Sequence, residues 1–566
     1  MADKKTNWMD YVLEMNRCDY DSLPAEPSFV SNSLEEIMLP MSDGISLSTF
    51  CQKPQGKGPF PTIVMRSCYP EQDPLMTLHA AEYSRRGYAF VWQHCRGTGR
   101  SEGNWVPYIH ERQDGKDTLD WLDSQNWISG IGYWGNSYLA LTGWTIADIL
   151  PEKVKTLYLT HCGTDRFNSA YQCGLFRQDV LTSWAMSNSG RQITADYQAS
   201  LRFRPHIDVD EKLWGGRLDW YREWITATNR DDEYWQSGFW HELQEIPARI
   251  KVPVYLGGGW YDHHLGSVLR TWQKLSPEAK AHSMLRIGAW NHGFMPCVQG
   301  RPTDHVENSD IISAFHWFDH ILRRGETTEG CVRTYQIGAD RWQVQPAYPF
   351  AETQSKTFFL AADNGQASGS LHTELPLKTD LARYIYDPEN PVPSHGAESL
   401  LATMRENGSL LQPACGWRND VVSFVSEPLA DDIDILGKIK VVLHVTSSAD
   451  DTAFSAKIME IGTDGQSYNI RSGITTLAYR HSSDETRCEY IPGTAVEAMI
   501  ELWDISWKLR AGCRLRVDIS SSDFPQYAIH TNYAGIWSLQ DKARSAEQTI
   551  LTGAAYPSKV VLPVTV

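Results

Sequence analysis

The chain has 566 residues, of which 42% are hydrophobic and 21% are charged, a composition typical of folded globular proteins rather than of disordered or fibrous ones. Its 52 Lys and Arg residues against 69 Asp and Glu residues give a formal net charge of −17, so we expect no binding to nucleic acid or to anionic membranes. The sequence contains no uninterrupted apolar run of about 18 residues, the length that a transmembrane helix requires.

Cysteine usage and the first residues bear on the cellular compartment. Eleven Cys residues are scattered along the chain without a CxxC pair, which favours buried, reduced thiols. Residues 1–8 include positive charges but no apolar run follows them, so we predict no signal peptide. We therefore expect a cytoplasmic protein, and the sequence leaves open whether it forms a homo-oligomer.

Strand-like and helical patterns alternate over the first part of the chain and again after residue 246. Helices separate the strand-like runs, as over residues 111–124, so crossover connections and a mainly parallel sheet are predicted. We interpret residues 1–165 and 246–345 as two parts of one α/β domain. The strand-like runs cover residues 45–50, 60–66, 88–92, 154–160, 252–256 and 283–287.

Residues 166–245 interrupt this alternation, and residues 346–566 follow a third pattern. The first stretch has few β-branched runs and many Trp residues, and it predicts helices such as 180–186 and 214–226. We interpret it as a helical cap inserted into the α/β domain. From residue 346 onward, short alternating runs separated by turn residues predict a β-sandwich.

The strongest local motif is Gly135-Asn-Ser-Tyr-Leu, which follows an apolar strand and precedes a helical pattern. A serine on such a sharp turn is typical of a nucleophile elbow, which needs small neighbours because its backbone is strained. The N-terminus of the following helix favours negative charge on a substrate oxygen. Leu139 replaces the usual second glycine, so the pentapeptide alone is equally compatible with an ordinary turn serine.

Two later strands end in the residues that such a serine needs. The strand at 252–256 runs into glycines and then Asp262, and the strand at 283–287 leads to His292. The order Ser, Asp, His along the chain is the order of α/β hydrolases. We predict that Ser137 is the nucleophile, His292 accepts its proton, and Asp262 orients the imidazole.

These motifs together resemble those of the CocE/NonD hydrolases, the peptidase S15 group of ester hydrolases, acylases and X-prolyl dipeptidyl peptidases. The resemblance covers nearly the whole chain and implies an α/β fold. In that fold, an α/β-hydrolase domain carries an inserted helical cap and is followed by a C-terminal jelly-roll β-sandwich. The matching segments begin at Arg96 (RGTGRSEG), Gly135 (GNSY), Gly259 (GWYD), Trp290 (WNHG), Tyr386, Asp450 and Asp523.

The resemblance also implies an oxyanion hole formed by the Tyr69 hydroxyl and the backbone N–H of Tyr138. Three residues depart from the family pattern: Cys68 stands where Pro is common, Ala140 where Gly is common, and Cys513 where His is common. None of them removes a catalytic group. We expect that Cys68 and Ala140 alter the shape of the acyl pocket.

Several further side chains are candidates for the substrate pocket or for rival roles. His264 follows the acid by two positions and is predicted to line the pocket, although a plain loop histidine is an alternative. His161, at the end of a strand, is a rival general base. His316 and His320 have a spacing that can bind metal, but an amphipathic helix explains them better. The aromatic residues predicted to form an acyl wall are Trp184, Phe167, Phe176 and Tyr171.

The predicted function is that of a serine hydrolase that cleaves a small-molecule carboxylic ester or amide through acyl-Ser137, without a metal or an organic cofactor. One alternative is an acyltransferase or cyclising enzyme that passes the same acyl group to a nucleophile other than water. A second is an aminopeptidase-type enzyme for X-Pro substrates or amino-acid esters, and a third is a catalytically silent binding protein. The aminopeptidase-type alternative needs a cluster of acidic residues to bind the ammonium group of the substrate. The candidates are Asp165, Asp179, Asp231 and Asp232.

Overall fold

The computed structural model describes residues 8–302, 309–351, 354–481 and 487–565, with the side chain of Trp8 not described. Residues 1–7, on which most of the signal-peptide prediction depends, lie outside these ranges. Within them, no helix combines the length and the apolar character that crossing a membrane requires.

The first part of the chain forms a mixed sheet whose centre is parallel. Ten strands have the order β1-β2-β4-β3-β5-β6-β9-β10-β11-β12, and β7 and β8 form a separate hairpin. The strands from β4 to β11 in this order run parallel, whereas β1, β2 and β12 pair antiparallel at the edges. The strands are β1 (Glu35–Pro40), β2 (Ser46–Gln52), β3 (Phe60–Ser67), β4 (Ala89–His94), β5 (Ile128–Asn136), β6 (Val154–Thr160), β7 (Tyr171–Gln172), β8 (Leu175–Phe176), β9 (Val254–Tyr261), β10 (Met284–Asn291), β11 (Cys331–Gln336) and β12 (Arg341–Gln345).

Helices connect the parallel strands and cover the sheet, which explains why β4 and β9 are buried along their whole length. The α-helices are α1 (Trp8–Asp21), α2 (Asp73–Arg85), α3 (Glu111–Asp123), α4 (Tyr138–Trp144), α5 (Arg166–Ala170), α6 (Gln178–Ser187), α7 (Tyr197–Arg202), α8 (Val209–Lys212), α9 (Asp219–Thr226), α10 (Glu233–Gln236), α11 (Gly238–Glu245), α12 (Leu265–Lys274), α13 (Pro277–Lys280) and α14 (Asp310–Phe318). Short 3₁₀ helices cover Pro70–Gln72, His206–Asp208, Ile246–Arg249, Met404–Glu406, Leu477–Tyr479 and Trp537–Leu539, and a π-helical turn covers Asp319–Arg323.

The segment between β6 and β9 is helical, with α5 to α11 and the β7–β8 hairpin. One prediction inside it is partly wrong, because the helix expected over residues 214–226 begins only at Asp219. Gly215 and Gly216 have φ angles of 85° and 155°. These values lie in the region that favours glycine and cannot continue a right-handed helix.

The C-terminal part is a β-sandwich built from 11 strands in the order β15-β22-β17-β23-β13-β14-β16-β21-β18-β19, with β20 paired to β17 outside this order. Its strands pair antiparallel except for β14 with β16. Buried and more exposed residues alternate in part of β17, whereas β18 and β21 are buried over most of their length. The predicted fold class is confirmed, whereas the domain boundaries stay predictions. The strands are β13 (Gln354–Ala362), β14 (Ser368–His372), β15 (Asp380–Tyr386), β16 (Val422–Ser426), β17 (Ile433–Ser447), β18 (Ala453–Ile461), β19 (Ser467–Thr476), β20 (Val496–Leu509), β21 (Arg514–Ser520), β22 (Ala546–Thr552) and β23 (Lys559–Val564).

Candidate active site

Ser137 lies on the sharp turn between β5 and α4. Its φ of 57° and ψ of −123° place the backbone outside the common regions, as expected for an elbow serine. The Ser137 N–H donates a hydrogen bond of 3.0 Å to the carbonyl of Thr160, at the end of β6. The turn also requires Gly135, because a Cβ there would lie 2.1 Å from the Leu139 carbonyl oxygen.

The structure brings Ser137, His292 and Asp262 together at the carboxyl edge of the parallel strands. Asp262 directly follows β9, and His292 directly follows β10, which pairs with β9 in parallel. The Ser137 Oγ lies 2.9 Å from His292 Nε2, and His292 Nδ1 lies 2.9 Å from Asp262 Oδ1. Because a carboxylate only accepts hydrogen bonds, the imidazole proton belongs on Nδ1, which leaves Nε2 free to accept from the serine.

Asp262 is fully buried between two histidines. Its Oδ2 lies 2.6 Å from His161 Nδ1, and its Oδ1 also accepts a hydrogen bond of 3.0 Å from the His264 backbone N–H. Burial alone would raise the pKa of Asp262, but the neighbouring imidazoles of His161 and His292 hold it well below its usual value. The Asp262 carboxylate is therefore ionised in the folded enzyme at neutral pH.

The same cluster has a spacing that could hold a metal ion, since atoms of His161, Asp262 and His292 that could act as ligands lie within 4.8 Å of one another. A metal on His292 Nδ1 would need the lone pair of that nitrogen. The nitrogen instead carries the proton that it donates to Asp262. The contacts of the cluster therefore match a hydrogen-bonded Ser-His-Asp arrangement better than a metal centre.

Tyr69 and Tyr138, the two predicted oxyanion-hole residues, lie on neighbouring elements with ring centroids 6.2 Å apart. The Tyr69 hydroxyl accepts a hydrogen bond of 2.9 Å from Trp184 Nε1, which leaves its own proton for a second partner, either the neighbouring Cys68 thiol or a substrate oxygen. Burial raises the pKa of Tyr69 well above its usual value, which keeps the phenol protonated. Tyr138 is the first residue of α4, so its N–H has no acceptor within the helix.

A buried network that sequence reasoning missed holds the Tyr138 side chain. The Tyr138 hydroxyl donates to Glu111 Oε1 and accepts from the backbone N–H of Tyr108, both at 2.9 Å. Glu111 Oε2 in turn forms an ion pair of 2.9 Å with Arg66. An arginine inside the otherwise apolar strand β3 is a sequence signal for a buried ion pair, but its partner cannot be read from the sequence.

Two histidines that follow the acid lie beside His292. The rings of His263 and His292 have centroids 4.1 Å apart, and the His264 ring lies 5.6 Å from that of His292. His264 Nδ1 is hydrogen-bonded to the Ser169 hydroxyl at 2.7 Å, and burial lowers the pKa of both His263 and His264. The predicted role of His264 in the pocket stays a prediction, and the sequence did not single out His263.

The four aromatic residues predicted to form an acyl wall occupy different positions. Trp184 is bonded directly to Tyr69, next to the site. Phe167 stacks on Tyr171 with centroids 5.4 Å apart, and Phe176 stacks on Trp537 at the same centroid distance. Trp184 is thus the member whose described contacts reach the site, and contact of the other three with a substrate stays a prediction.

The positions that depart from the family pattern are buried. Cys68 precedes Tyr69 and is 5% exposed, and burial raises the pKa of its thiol well above the usual value. Ala140 lies within α4 with no exposed surface, and the Cys513 thiol contacts Glu460 in the β-sandwich. Because a protonated thiol is a poor nucleophile, Cys68 is not a rival to Ser137.

His316 and His320 lie on the outer side of α14 and its π-helical end. His316 is exposed, and His320 Nδ1 lies 2.8 Å from Glu326. Trp317 between them is buried, 6% exposed. These contacts match the amphipathic helix that was the preferred interpretation.

The four acidic residues considered for a substrate ammonium group are mostly engaged elsewhere. Asp165 forms an ion pair of 3.0 Å with Arg230 and caps α5. Asp179 accepts hydrogen bonds from two backbone N–H groups of the C-terminal part. The remaining two, Asp231 and Asp232, line a surface cleft of about 510 Å³.

The fold and this site define the class: the protein is a serine hydrolase with an α/β-hydrolase domain. Two family models match the chain. The model of the X-Pro dipeptidyl-peptidase (S15 family) matches residues 43–294, and that of the X-Pro dipeptidyl-peptidase C-terminal non-catalytic domain matches residues 325–561. The chain belongs to this peptidase S15 family, in which the CocE/NonD hydrolases are found.

Known proteins similar to the chain support this assignment. A cocaine esterase from Rhodococcus sp. (strain MB1 Bresler) is 29% identical over 93% of this chain and 98% of its own length. An aminopeptidase from a marine sediment Thaumarchaeota archaeon has a TM-score of 0.81 at 20% identity, covering 100% of this chain and 98% of the other. An α-amino acid ester hydrolase has a TM-score of 0.79 at 21% identity, covering 96% and 99%. At such identities the two structures show the fold alone.

Proposed function

We propose that the enzyme cleaves small-molecule carboxylic esters through an acyl-Ser137 intermediate, with His292 as general base and then general acid. The observation that carries the proposal is the continuous line of contacts from Ser137 Oγ through His292 to Asp262, with both hydrogen-bond distances at 2.9 Å. A serine alone is too weakly acidic to attack a carbonyl, and this arrangement supplies the missing base.

In the acylation step, Ser137 Oγ attacks the ester carbonyl carbon while its proton passes to His292 Nε2. The resulting imidazolium is stabilised by Asp262, which is buried and ionised. Negative charge develops on the former carbonyl oxygen, where the Tyr69 hydroxyl and the Tyr138 N–H donate hydrogen bonds. The intermediate collapses as the C–O bond breaks, and His292 gives its proton to the departing alcohol.

Deacylation repeats the same chemistry with water as the nucleophile. His292 takes a proton from the water as its oxygen attacks the acyl carbon, and the same two donors stabilise the second oxyanion. The proton then returns from His292 to Ser137 Oγ as the carboxylic acid leaves. Each turnover consumes one ester and one water, and no step calls on a metal or an organic cofactor.

Two observations favour an ester over a peptide or an X-Pro substrate. The relative with 29% identity over nearly its whole length carries the name of an esterase. Recognition of a free amino terminus would need carboxylates near Ser137. Asp165 is paired with Arg230 and Asp179 is held by backbone N–H groups, whereas Asp231 and Asp232 line a cleft that contains none of the proposed catalytic residues. Trp184, next to Tyr69, supplies an apolar wall for the acyl group.

We also propose that the enzyme acts in the cytoplasm on a small molecule, without nucleic-acid or membrane partners. The ten cysteines other than Cys173 carry free thiols, which fits a reducing compartment. The net charge of −17 supports the absence of polyanionic partners.

A fluorophosphonate probe tests the proposed nucleophile. We expect covalent labelling of the native enzyme and none of Ser137→Ala, with ester hydrolysis lost in parallel. Ser42→Ala is the matched control. Ser42 is an exposed serine in the turn between β1 and β2, and its hydroxyl is hydrogen-bonded to Asp117 in α3, so the probe should label this variant as it labels the native enzyme. Labelling that survives in Ser137→Ala would refute the nucleophile assignment.

A further inference from the structure

His161 occupies the position in the sheet that joins the strand of the nucleophile to the strand of the acid. It directly follows β6, which lies between β5 and β9. The carbonyl of Thr160 accepts the Ser137 N–H at 3.0 Å, and the His161 N–H donates to the Gly257 carbonyl on β9 at 2.8 Å. The backbone of residues 160–161 is therefore bonded to both strands that deliver the proposed catalytic groups.

The backbone of His161 adopts a conformation that a non-glycine residue rarely takes. Its φ is 54°, in the left-handed region, which costs roughly 1 kcal/mol or more for a residue with a Cβ. The surrounding bonds hold the residue there, and this conformation accompanies a side chain that reaches Asp262 rather than solvent. The ring has no exposed surface and packs edge-on against Phe294, with centroids 4.1 Å apart.

The contacts of the ring exclude a role as a second general base. Its Nδ1 lies 2.6 Å from Asp262 Oδ2, on the side of the carboxylate opposite His292. The Ser137 hydroxyl is already hydrogen-bonded to His292, whose ring centroid lies 5.5 Å from that of His161. His161 therefore contacts Asp262, whereas the proton of Ser137 is accepted by His292.

In the structure the His161 Nδ1 lies 2.6 Å from Asp262 Oδ2, but its N–H does not point along that contact. We infer that His161 is a positioning residue that, after a small rotation of its ring, donates its Nδ1–H to Asp262 and so holds the carboxylate in the orientation that His292 needs. The inference rests on the proposed roles of Ser137, His292 and Asp262. A carboxylate bonded through only one oxygen can rotate about its Cβ–Cγ bond. Donors on both oxygens, His292 on Oδ1 and His161 on Oδ2, remove that freedom.

The charge state of His161 suits this role. Burial lowers the pKa of its ring, so the ring stays neutral and adds no positive charge against the imidazolium that forms on His292. Further titratable groups in the described residues that face this cluster are His263 and His264, also buried with lowered pKa, the buried Cys162, whose thiol pKa is raised by burial, and Arg166. A neutral donor on Oδ2 therefore orients Asp262 without competing with His292 for its charge.

Replacement of His161 by residues that keep or remove the donor tests the inference. His161→Phe keeps the ring and loses the N–H, so we expect kcat to fall about 10- to 100-fold with KM changed less than about 3-fold, as for loss of a hydrogen bond to a charged group. His161→Asn places an N–H near the Nδ1 position and should recover most of kcat. Without the donor, Asp262 becomes more basic, so the acid limb of the kcat/KM profile should move to higher pH in His161→Phe and not in His161→Asn.

A matched control separates positioning from general destabilisation. His206 is another buried histidine, bonded to Tyr221 far from the acid, so His206→Phe should lower stability and leave the acid limb in place. Equal kcat values and pH profiles in His161→Phe and the native enzyme would overturn the inference, as would failure of His161→Asn to recover activity in a folded protein.

The native enzyme provides a measurement that needs no variant. In ¹⁵N spectra of the imidazole groups, the His161 ring should stay neutral and protonated on Nδ1 throughout the pH range in which the enzyme is active. A His161 ring that is cationic, or protonated only on Nε2, would overturn the inference. Fluorophosphonate labelling of Ser137 in each variant keeps the two proposals apart, because a wrong role for His161 leaves labelling of the native enzyme intact.

Discussion

Replacement of Tyr69 by Phe removes one hydroxyl and leaves the ring in place. In the structure this hydroxyl accepts the indole N–H of Trp184 at 2.9 Å, so its own proton remains available for a substrate oxygen. Burial keeps the phenol protonated by raising its pKa. Tyr69→Phe should therefore remove a donor that acts on the oxyanion, with little change in substrate packing.

The size of the effect follows from the number of donors. With Tyr69 and the Tyr138 N–H sharing the oxyanion, loss of one should lower kcat about 10²- to 10³-fold, or about 2.7–4 kcal/mol. Trp184→Phe leaves the Tyr69 hydroxyl in place but removes the bond that orients it. A neutral hydrogen bond is worth about 0.5–1.5 kcal/mol, so that variant should lose only about 2- to 12-fold.

A double-mutant cycle on ester hydrolysis tests this reasoning. If Trp184 acts by orienting the Tyr69 hydroxyl, then Trp184→Phe should cost almost nothing once Tyr69 is Phe, and the double variant should match Tyr69→Phe. Single-turnover kinetics separate kcat from binding, and thermal unfolding confirms that each variant is folded. An unchanged kcat in Tyr69→Phe would remove Tyr69 from the oxyanion hole. Fully additive effects on kcat would show that Trp184 does not act through the Tyr69 hydroxyl.

Two further predictions concern the elbow and the pH dependence of stability. Gly135→Ala should abolish ester hydrolysis, because the added Cβ would lie 2.1 Å from the Leu139 carbonyl oxygen. Gly130→Ala in the same strand should stay active, because the nearest atoms to its Cβ, in Lys155, Leu322 and the Lys153 carbonyl, lie at ordinary contact distances of 3.5–3.8 Å. His79 is buried with its pKa lowered to about 3, so below a pH of about 6.5 the folded state binds fewer protons than the unfolded state, and stability decreases as the pH is lowered. His79→Phe should reduce that slope by about 1.4 kcal/mol per pH unit between pH 6 and 4 in urea unfolding, and an unchanged slope would contradict the neutral state of His79.

The α/β part of the fold could be predicted because its central strands are continuous apolar runs. The run at residues 88–92 predicts β4, and the structure places that strand at Ala89–His94, buried throughout. The order of the strands could not be predicted, since β3 lies between β4 and β5 although the chain visits them as β3, β4, β5. Sequence spacing restricts such crossovers, but tertiary packing selects among them.

The proposed catalytic residues could be found because each follows a strand, and parallel strands bring their carboxyl ends to one edge. Asp262 and His292 are cases of this rule, as is Ser137. The contact between His161 and Asp262 needed the additional fact that β6 lies beside β9. The pair of Arg66 and Glu111 joins a strand to a helix 45 residues away, a distance in sequence that no local pattern bridges.

The C-terminal β-sandwich contributes to the position of the acid, although the matching family model describes it as non-catalytic. Arg471 in β19 donates to the carbonyl of Trp260 at 2.6 Å, and the Tyr261 hydroxyl donates to the carbonyl of Ile470 at 3.1 Å. Trp260 and Tyr261 are the last residues of β9, directly before Asp262. Because both bonds are buried, they resist displacement by water and connect the end of β9 to the second sheet. The distance between the acid and His292 therefore depends on both domains, and a change in β19 can reach the reaction without contacting the substrate.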